Sequence, residues 1–280
     1  MRPRRRRRRT RPPRRPRRAA RARAPDRGFD PTSAARRRLD AELVRRGLAS
    51  SRERAQADIA AGRVTVGGAP AERPARLVDP GDAIVVAGPG PRFVSRGGEK
   101  LDHALAVFNI DVQGRRCVDA GASTGGFTDC LLQRGAASVI AVDVGYGQLH
   151  ERVRADHRVV VRERVNVRNL DAGAIGGAVE VVVADLSFIS LRTVADALLA
   201  CAAPGADLVV LVKPQFEAGR AEAARGKGVI REPEVRLRVA NAVATAFGDR
   251  GAAIMGVVAS PITGADGNVE LLLHMRKASS

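Results

Sequence analysis

Apolar residues recur along this chain in two rhythms. In its second half they come as short, nearly unbroken runs: Val139-Ile-Ala-Val142, Val179-Glu-Val-Val-Val-Ala184 and Leu208-Val-Val-Leu-Val212. Runs of four to six residues rich in Val read as strands buried on both faces. Three of the strand ends carry an acid (Asp119, Asp143, Asp185) and one an amine (Lys213). The stretch from Val118 to Thr128, V-D-A-G-A-S-T-G-G-F-T, takes a strand into a glycine-rich turn and then a helix over Phe127 to Leu132. Strand, glycine turn, helix and second strand form the first half of a nucleotide-binding α/β unit.

Before residue 88 the elements are shorter. Leu39, Leu43 and Leu48 mark a first helix that Gly47 can end. Ser50, three residues before Glu53, makes a capping box and starts a second helix with Ala55 and Ile59 inward. Gly62 closes that helix, Val64-Thr-Val66 and Ile84-Val-Val86 read as strands, and Gly67-Gly68 and Asp79-Pro-Gly-Asp82 are turns. The pattern divides the chain into an arm (1–35), a small α+β unit (36–87), a Gly-Pro linker (88–96), an α/β domain (97–275) and a tail (276–280).

The turn at 120–126 discriminates among cofactors. A dinucleotide fingerprint would place glycine where Ser123 stands, so that a pyrophosphate could approach. Asp119 just ahead of the turn would repel phosphate but suits a ligand with a cationic amino-acid end. S-adenosylmethionine is such a ligand, with Asp119, Gly121 and Ser123 at the turn, Asp143 at the ribose and Asn166 on the adenine side. The alternative is an ordinary turn of small residues.

Charge adds a second theme. Of the formal +18, fourteen charges are arginines within residues 1–24, which hold no acid, so the remaining chain carries +4. The arm cannot bury anything and is expected to be disordered, either contacting a polyanion or serving as a solubilising or over-extended start. It lacks the apolar core of a secretory signal. Arg38, Arg45, Arg46, Arg52 and Arg54 cluster on the helices of the small unit, a candidate RNA-binding face. Cys117, Cys130 and Cys201 lack C-x-x-C spacing and read as core residues, which fits a reducing cytoplasm, and the four histidines lack metal-ligand spacing.

Only Lys100, Lys213, Lys227 and Lys277 are lysine, against 44 arginines. A desolvated lysine can act as a base near neutral pH, whereas arginine cannot. Lys213 ends a buried strand, Lys100 lies in a Ser-Arg-Gly-Gly-Glu loop, Lys227 either touches phosphate or occupies a loop, and Lys277 falls in the tail. Glu270 heads into the apolar run Leu271-Leu-Leu and needs a partner, for which a lysine is the obvious choice.

Two resemblances follow from these residues. The run R-L-D-x-x-L-V-x-x-G-L-A-S-S-R from Arg38, continuing to Gly68 and followed by G-D-x-I at Gly81 to Ile84, closely resembles the S4 RNA-binding domain, which implies recognition of structured RNA. The order Lys100, Asp185, Lys213, Glu270 resembles the K-D-K-E tetrad of FtsJ-like RNA 2′-O-ribose methyltransferases. With S-R-G-x-x-K-L, A-D-L-S-F-I-S-L and L-V-K-P-Q-F-E, the chain from 36 to about 275 looks like a member of the TlyA-type family.

That resemblance implies a Rossmann-like S-adenosylmethionine-dependent methyltransferase domain behind an S4 domain. It further implies cytidine 2′-O-methylation in 16S and/or 23S ribosomal RNA, a cytoplasmic ribosomal partner, and no metal or membrane. Lys213 would then stand closest to the hydroxyl, with Asp185 orienting it, Lys100 lowering its proton affinity and Glu270 positioning the ribose or the lysines. Two other classes compete: an RNA-binding assembly factor without turnover, and a cytolysin, since the family has been labelled haemolysin. A cytolysin needs a spanning helix or long alternating strands, and the sequence offers neither.

Overall fold

The computed structural model describes residues 36–279, apart from 50, 89–90, 220–221, 223–225, 227 and 265–266. The arm, Ser50, Lys227 and part of the Gly-Pro cluster therefore lie outside the described residues.

The small unit comes first. Strand β1 (Arg37–Arg38) leads into α1 (Leu39–Arg45) and α2 (Arg52–Ala60), followed by β2 (Val64–Val66), β3 (Ala69–Pro70), β4 (Leu77–Val78) and β5 (Ile84–Val86). Gly67 and Gly68 take φ of +61° and +82°, the mirror-image turn a two-residue hairpin between β2 and β3 requires. Helix α2 is capped by Ser51, whose Oγ accepts from Arg54 N at 3.2 Å, one residue later than the capping box predicts. Leu39, Leu43, Ala55, Ile59 and Val64 close a separate core beneath both helices.

The α/β domain follows with α3 (Gly97–Val107), β6 (Arg116–Ala120), α4 (Gly126–Gln133), β7 (Ser138–Asp143), α5 (Glu151–Arg154), β8 (Val159–Glu163) and β9 (Val179–Ala184). It ends with α6 (Leu191–Cys201), β10 (Ala202–Val212), α7 (Pro214–Glu217), α8 (Pro233–Gly248), β11 (Ala252–Ala259) and β12 (Leu271–Lys277). The seven strands lie in the order β11-β12-β10-β9-β6-β7-β8, with β12 antiparallel to both neighbours and the β10-β9-β6-β7-β8 run parallel.

Alternation along the strands builds two cores. Val182, Ala184, Leu208 and Val210 face α6 and α8, while Val181, Val183, Val209 and Leu211 face α3 and α4. Burial on both faces is why these strands read as unbroken apolar runs. The cysteines are core residues as expected, and burial pushes the thiols of Cys117 and Cys130 up to about 12.

Three expectations change. Lys100 lies in the first turn of α3 rather than in a loop. Lys277 ends β12 instead of a tail, and its Nζ donates to the carbonyls of Leu199 and Ala202 (3.0 and 2.8 Å) where α6 meets β10. The second half of the linker is packed, not free: Phe93 is buried against Gly98, where a Cβ would overlap its ring, and Val94 N donates to Asp129 Oδ2 at 2.8 Å.

Candidate active site

The carboxyl ends of the parallel strands bring the four candidate catalytic residues together. Asp185 follows β9 directly, Lys213 follows β10, Glu270 precedes β12 and Lys100 comes from α3. They form two pairs. Lys213 Nζ stands 2.5 Å from Asp185 Oδ1 as an ion pair and donates to Ser187 Oγ at 3.0 Å. Lys100 Nζ donates to Glu270 Oε2 at 2.5 Å, with both groups buried. A Cβ on Gly264 would lie 2.6 Å from Glu270 Oε1, so only glycine leaves room for the carboxylate there. Glu270 thus has the lysine partner its burial demands.

Both pairs line one cavity of about 410 Å³, together with Ser51, Arg96 and the turn at 121–124. A second cavity of about 400 Å³ shares Gly121, Ser123, Asp185 and Ser187 with it and adds Asp143, Asn166 and Phe188. Gly121 has φ of +88°, and a Cβ there would stand 2.6 Å from the Asp185 carbonyl oxygen, so the turn approaches the end of β9 as only glycine permits. Ser123 is itself left-handed, at φ +48°, and its N–H donates to Asp143 Oδ2 at 2.8 Å. Asp143 Oδ1 accepts from Gly145 N at 2.7 Å. A carboxylate offers about four lone-pair directions, so each oxygen of Asp143 keeps one for a ribose hydroxyl. Asn166 caps the turn Val167–Asn169 by accepting from Arg168 N, which leaves its amide N–H groups for a ligand.

These groups fit S-adenosylmethionine: Asp143 for ribose hydroxyls, Asp185 on the wall shared by both cavities for a cationic end, and a glycine turn without a built phosphate cradle. Asp119 is the exception. It lines neither cavity, is fully buried beneath the turn and accepts from Thr128 Oγ1 at 2.7 Å, tying β6 to α4. Burial, reinforced by the like charges of Asp185 and Asp143, raises its carboxyl to about 7 despite the Thr128 hydrogen bond. It supports the turn from beneath rather than lining either cavity.

The arginine face of the small unit is more structural than its sequence implies. Arg38 and Arg52 both bind Asp40, Arg45 and Arg46 both bind Glu42, and Arg54 binds Asp58, all three acids being buried. Hydrogen bonding to Arg38 holds Asp40 well below the usual carboxylate range, and bonding to Arg45 takes Glu42 down to about 2. Arg46 also donates to the carbonyls of Asp79, Pro80 and Asp82, so it clasps the 79–82 turn instead of presenting a free charge. Arg38, Arg45, Arg52 and Arg54 remain about half-exposed.

Among the cavity residues that sequence reasoning missed are Ser51, Ser95, Arg96, Ser187 and Phe188. Ser187 and Phe188 stand in the A-D-L-S-F string beside Asp185, and Ser95 and Arg96 just ahead of Lys100. Ser51 carried no signal, because it reaches the cavity from the other unit. Among the described residues no cluster of His, Cys, Asp and Glu is placed to hold a metal, and no helix is long and apolar enough to cross a membrane.

The profile of FtsJ-like methyltransferases matches residues 93–277, and that of the S4 domain matches 37–84. The chain is 55% identical over 244 residues to the 16S/23S rRNA (cytidine-2′-O)-methyltransferase TlyA of Mycobacterium tuberculosis, covering 87% of this chain and 91% of that protein. It is 40% identical to Hemolysin A of Brachyspira hyodysenteriae, over 85% of this chain and 98% of that one. A solved structure from Streptococcus thermophilus, named a hemolysin, superposes with a TM-score of 0.71 at 40% identity, over 88% of this chain and 90% of its own.

Proposed function

Since the chain belongs to the FtsJ-like methyltransferase family and carries an S4 domain ahead of the catalytic one, we propose that it methylates cytidine 2′-hydroxyls in ribosomal RNA, of the small subunit, the large subunit or both. The observation that carries this reading is the pairing of Lys213 with Asp185 and of Lys100 with Glu270 on the wall of one cavity. A cytoplasmic site of action goes with that substrate.

In this reading Gly121 and Ser123 receive the amino-acid end of S-adenosylmethionine, Asp143 its ribose and Asn166 its adenine. The bound cofactor supplies a methyl group on sulfonium, already activated as an electrophile. The chain must then align the ribose and remove one proton. Alignment contributes up to about 7–11 kcal/mol in favourable cases. Lys213 Nζ, once it has released its own proton to solvent and stands as the neutral amine, takes the hydroxyl proton, a role worth roughly 10²–10⁴ in rate. Asp185 and Ser187 fix the direction of that amine. Lys100, held by Glu270, lends positive potential to the oxygen as it loses its proton.

Comparing 2′-O-methyl positions in ribosomal RNA from cells with and without the gene tests the reading. Loss of methylation at one or more cytidines is expected. Identical maps would remove ribosomal RNA as the substrate.

A further inference from the structure

Arg96 and Glu53 form an ion pair unlike those that arginines make with Asp40, Glu42 and Asp58. The acids Asp40, Glu42 and Asp58 are buried and bound by their own unit's arginines, a permanent arrangement. Glu53 is the reverse. Its side chain is 64% exposed, it sits in the first turn of α2, and its Oε2 meets Arg96 NH1 of the catalytic domain at 2.9 Å. Ser51 Oγ, the cap of the same helix, also donates to that oxygen at 3.3 Å. Ser51 and Arg96 both line the cavity that holds Lys100 and Lys213, and Arg96 stands immediately before α3, which carries Lys100.

The guanidinium therefore faces the place where an RNA strand must lie if its 2′-hydroxyl is to reach Lys213. Every such strand brings a phosphodiester within a bond or two of the target ribose. Exposed ion pairs contribute little, whereas arginine and phosphate form charge-assisted, often bidentate bonds. We propose that Glu53 holds Arg96 only in the free protein, and that a phosphodiester beside the target ribose replaces it when RNA enters. Arg96 is then a positioning residue for the substrate, and Glu53 a carboxylate standing in for phosphate that couples cavity access to the RNA-binding unit. This rests on RNA being the substrate.

The test uses the full chain, unmodified ribosomal RNA, binding titrations across salt, and steady-state methyl transfer, with thermal melting to confirm folding. Glu53→Gln frees Arg96, so RNA binding should tighten several-fold and the salt slope should steepen. Arg96→Ala should raise KM for RNA about tenfold, change kcat less, and flatten the slope by about 0.7, the loss of one phosphate contact on a single strand. The swap Glu53→Arg with Arg96→Glu rebuilds the pair but puts an acid on the cavity wall, so it should not rescue KM. If Glu53→Gln and Arg96→Ala weakened binding alike and the swap restored it, the pair would be a structural clasp and the exchange overturned. Two silent variants would overturn it equally. A parent protein that transferred no methyl group to RNA would instead refute the functional reading itself.

Discussion

Lys213 and Asp119 show how much a single side chain's surroundings decide. Lys213 is held by Asp185 and Ser187 at the end of β10. Lys213→Arg keeps a cation there but removes a group able to accept a proton. Methyl transfer should fall by about 10²–10⁴-fold while calorimetry shows little change in cofactor affinity. Turnover within tenfold of the parent would take Lys213 out of the base role.

Burial pushes the Asp119 carboxyl up to about 7, well above the ordinary aspartate value. A raised carboxyl binds its proton more tightly in the folded state, so its contribution to stability is present below about pH 4 and is lost as pH rises toward 7. Asp119→Asn, neutral throughout, should therefore gain melting temperature relative to the parent between pH 5 and pH 8. An offset that does not change with pH would contradict this. The sequence grouped Asp119 with Asp143 because strand-end acids look alike in a linear pattern. Which side of the turn each one faces is set by strand parity and by Thr128, nine residues on.

At the scale of elements, what was legible was what repeats. The central parallel strands β6, β7, β9 and β10 announced themselves because both faces are buried, and their ends located Asp143, Asp185 and Lys213, whereas the half-buried edge strand β8 gave no such run. What was not legible depended on packing between distant segments. The S-R-G-G-E-K segment reads as a loop because two glycines weaken a helix. In the fold they are close-approach points instead: Gly98 lies under Phe93, and Gly97 lies against Phe127 and Gly126 of α4.

Gly121→Ala probes the same kind of contact at the cofactor turn. At φ +88°, with the Asp185 carbonyl 2.6 Å from the new methyl, the end of β9 must shift. Cofactor affinity should drop at least tenfold by titration, and unchanged affinity would mean that the turn does not cradle it.

In the small unit, helix α1 carries buried Glu42, whose carboxyl is held down at about 2 by its hydrogen bond to Arg45. A depressed acid contributes stability above about pH 4.5 and loses it as pH falls toward 2. Glu42→Gln should lower the melting temperature by several degrees at pH 7 and by less at pH 3. An equal loss at both would show that packing, not charge, is what Glu42 supplies.

For the whole molecule, the sequence indicated two units but not their meeting point. The cavity draws Lys100, Asp185, Lys213 and Glu270 from one and Ser51 from the other, and only the fold shows that the S4 unit reaches the wall carrying those four residues. The described body is only mildly basic, and much of its arginine is committed to buried acids, so recognition by shape suits it better than charge alone. The central claim is a methyl group on a particular oxygen of a particular nucleoside. Purified protein, isotopically labelled S-adenosylmethionine and unmodified ribosomal RNA, followed by digestion to nucleosides and mass spectrometry, address it directly. The account predicts labelled 2′-O-methylcytidine with the parent protein and almost none with Lys213→Arg. Label on a base, or no label from a protein that binds the cofactor normally, would contradict it.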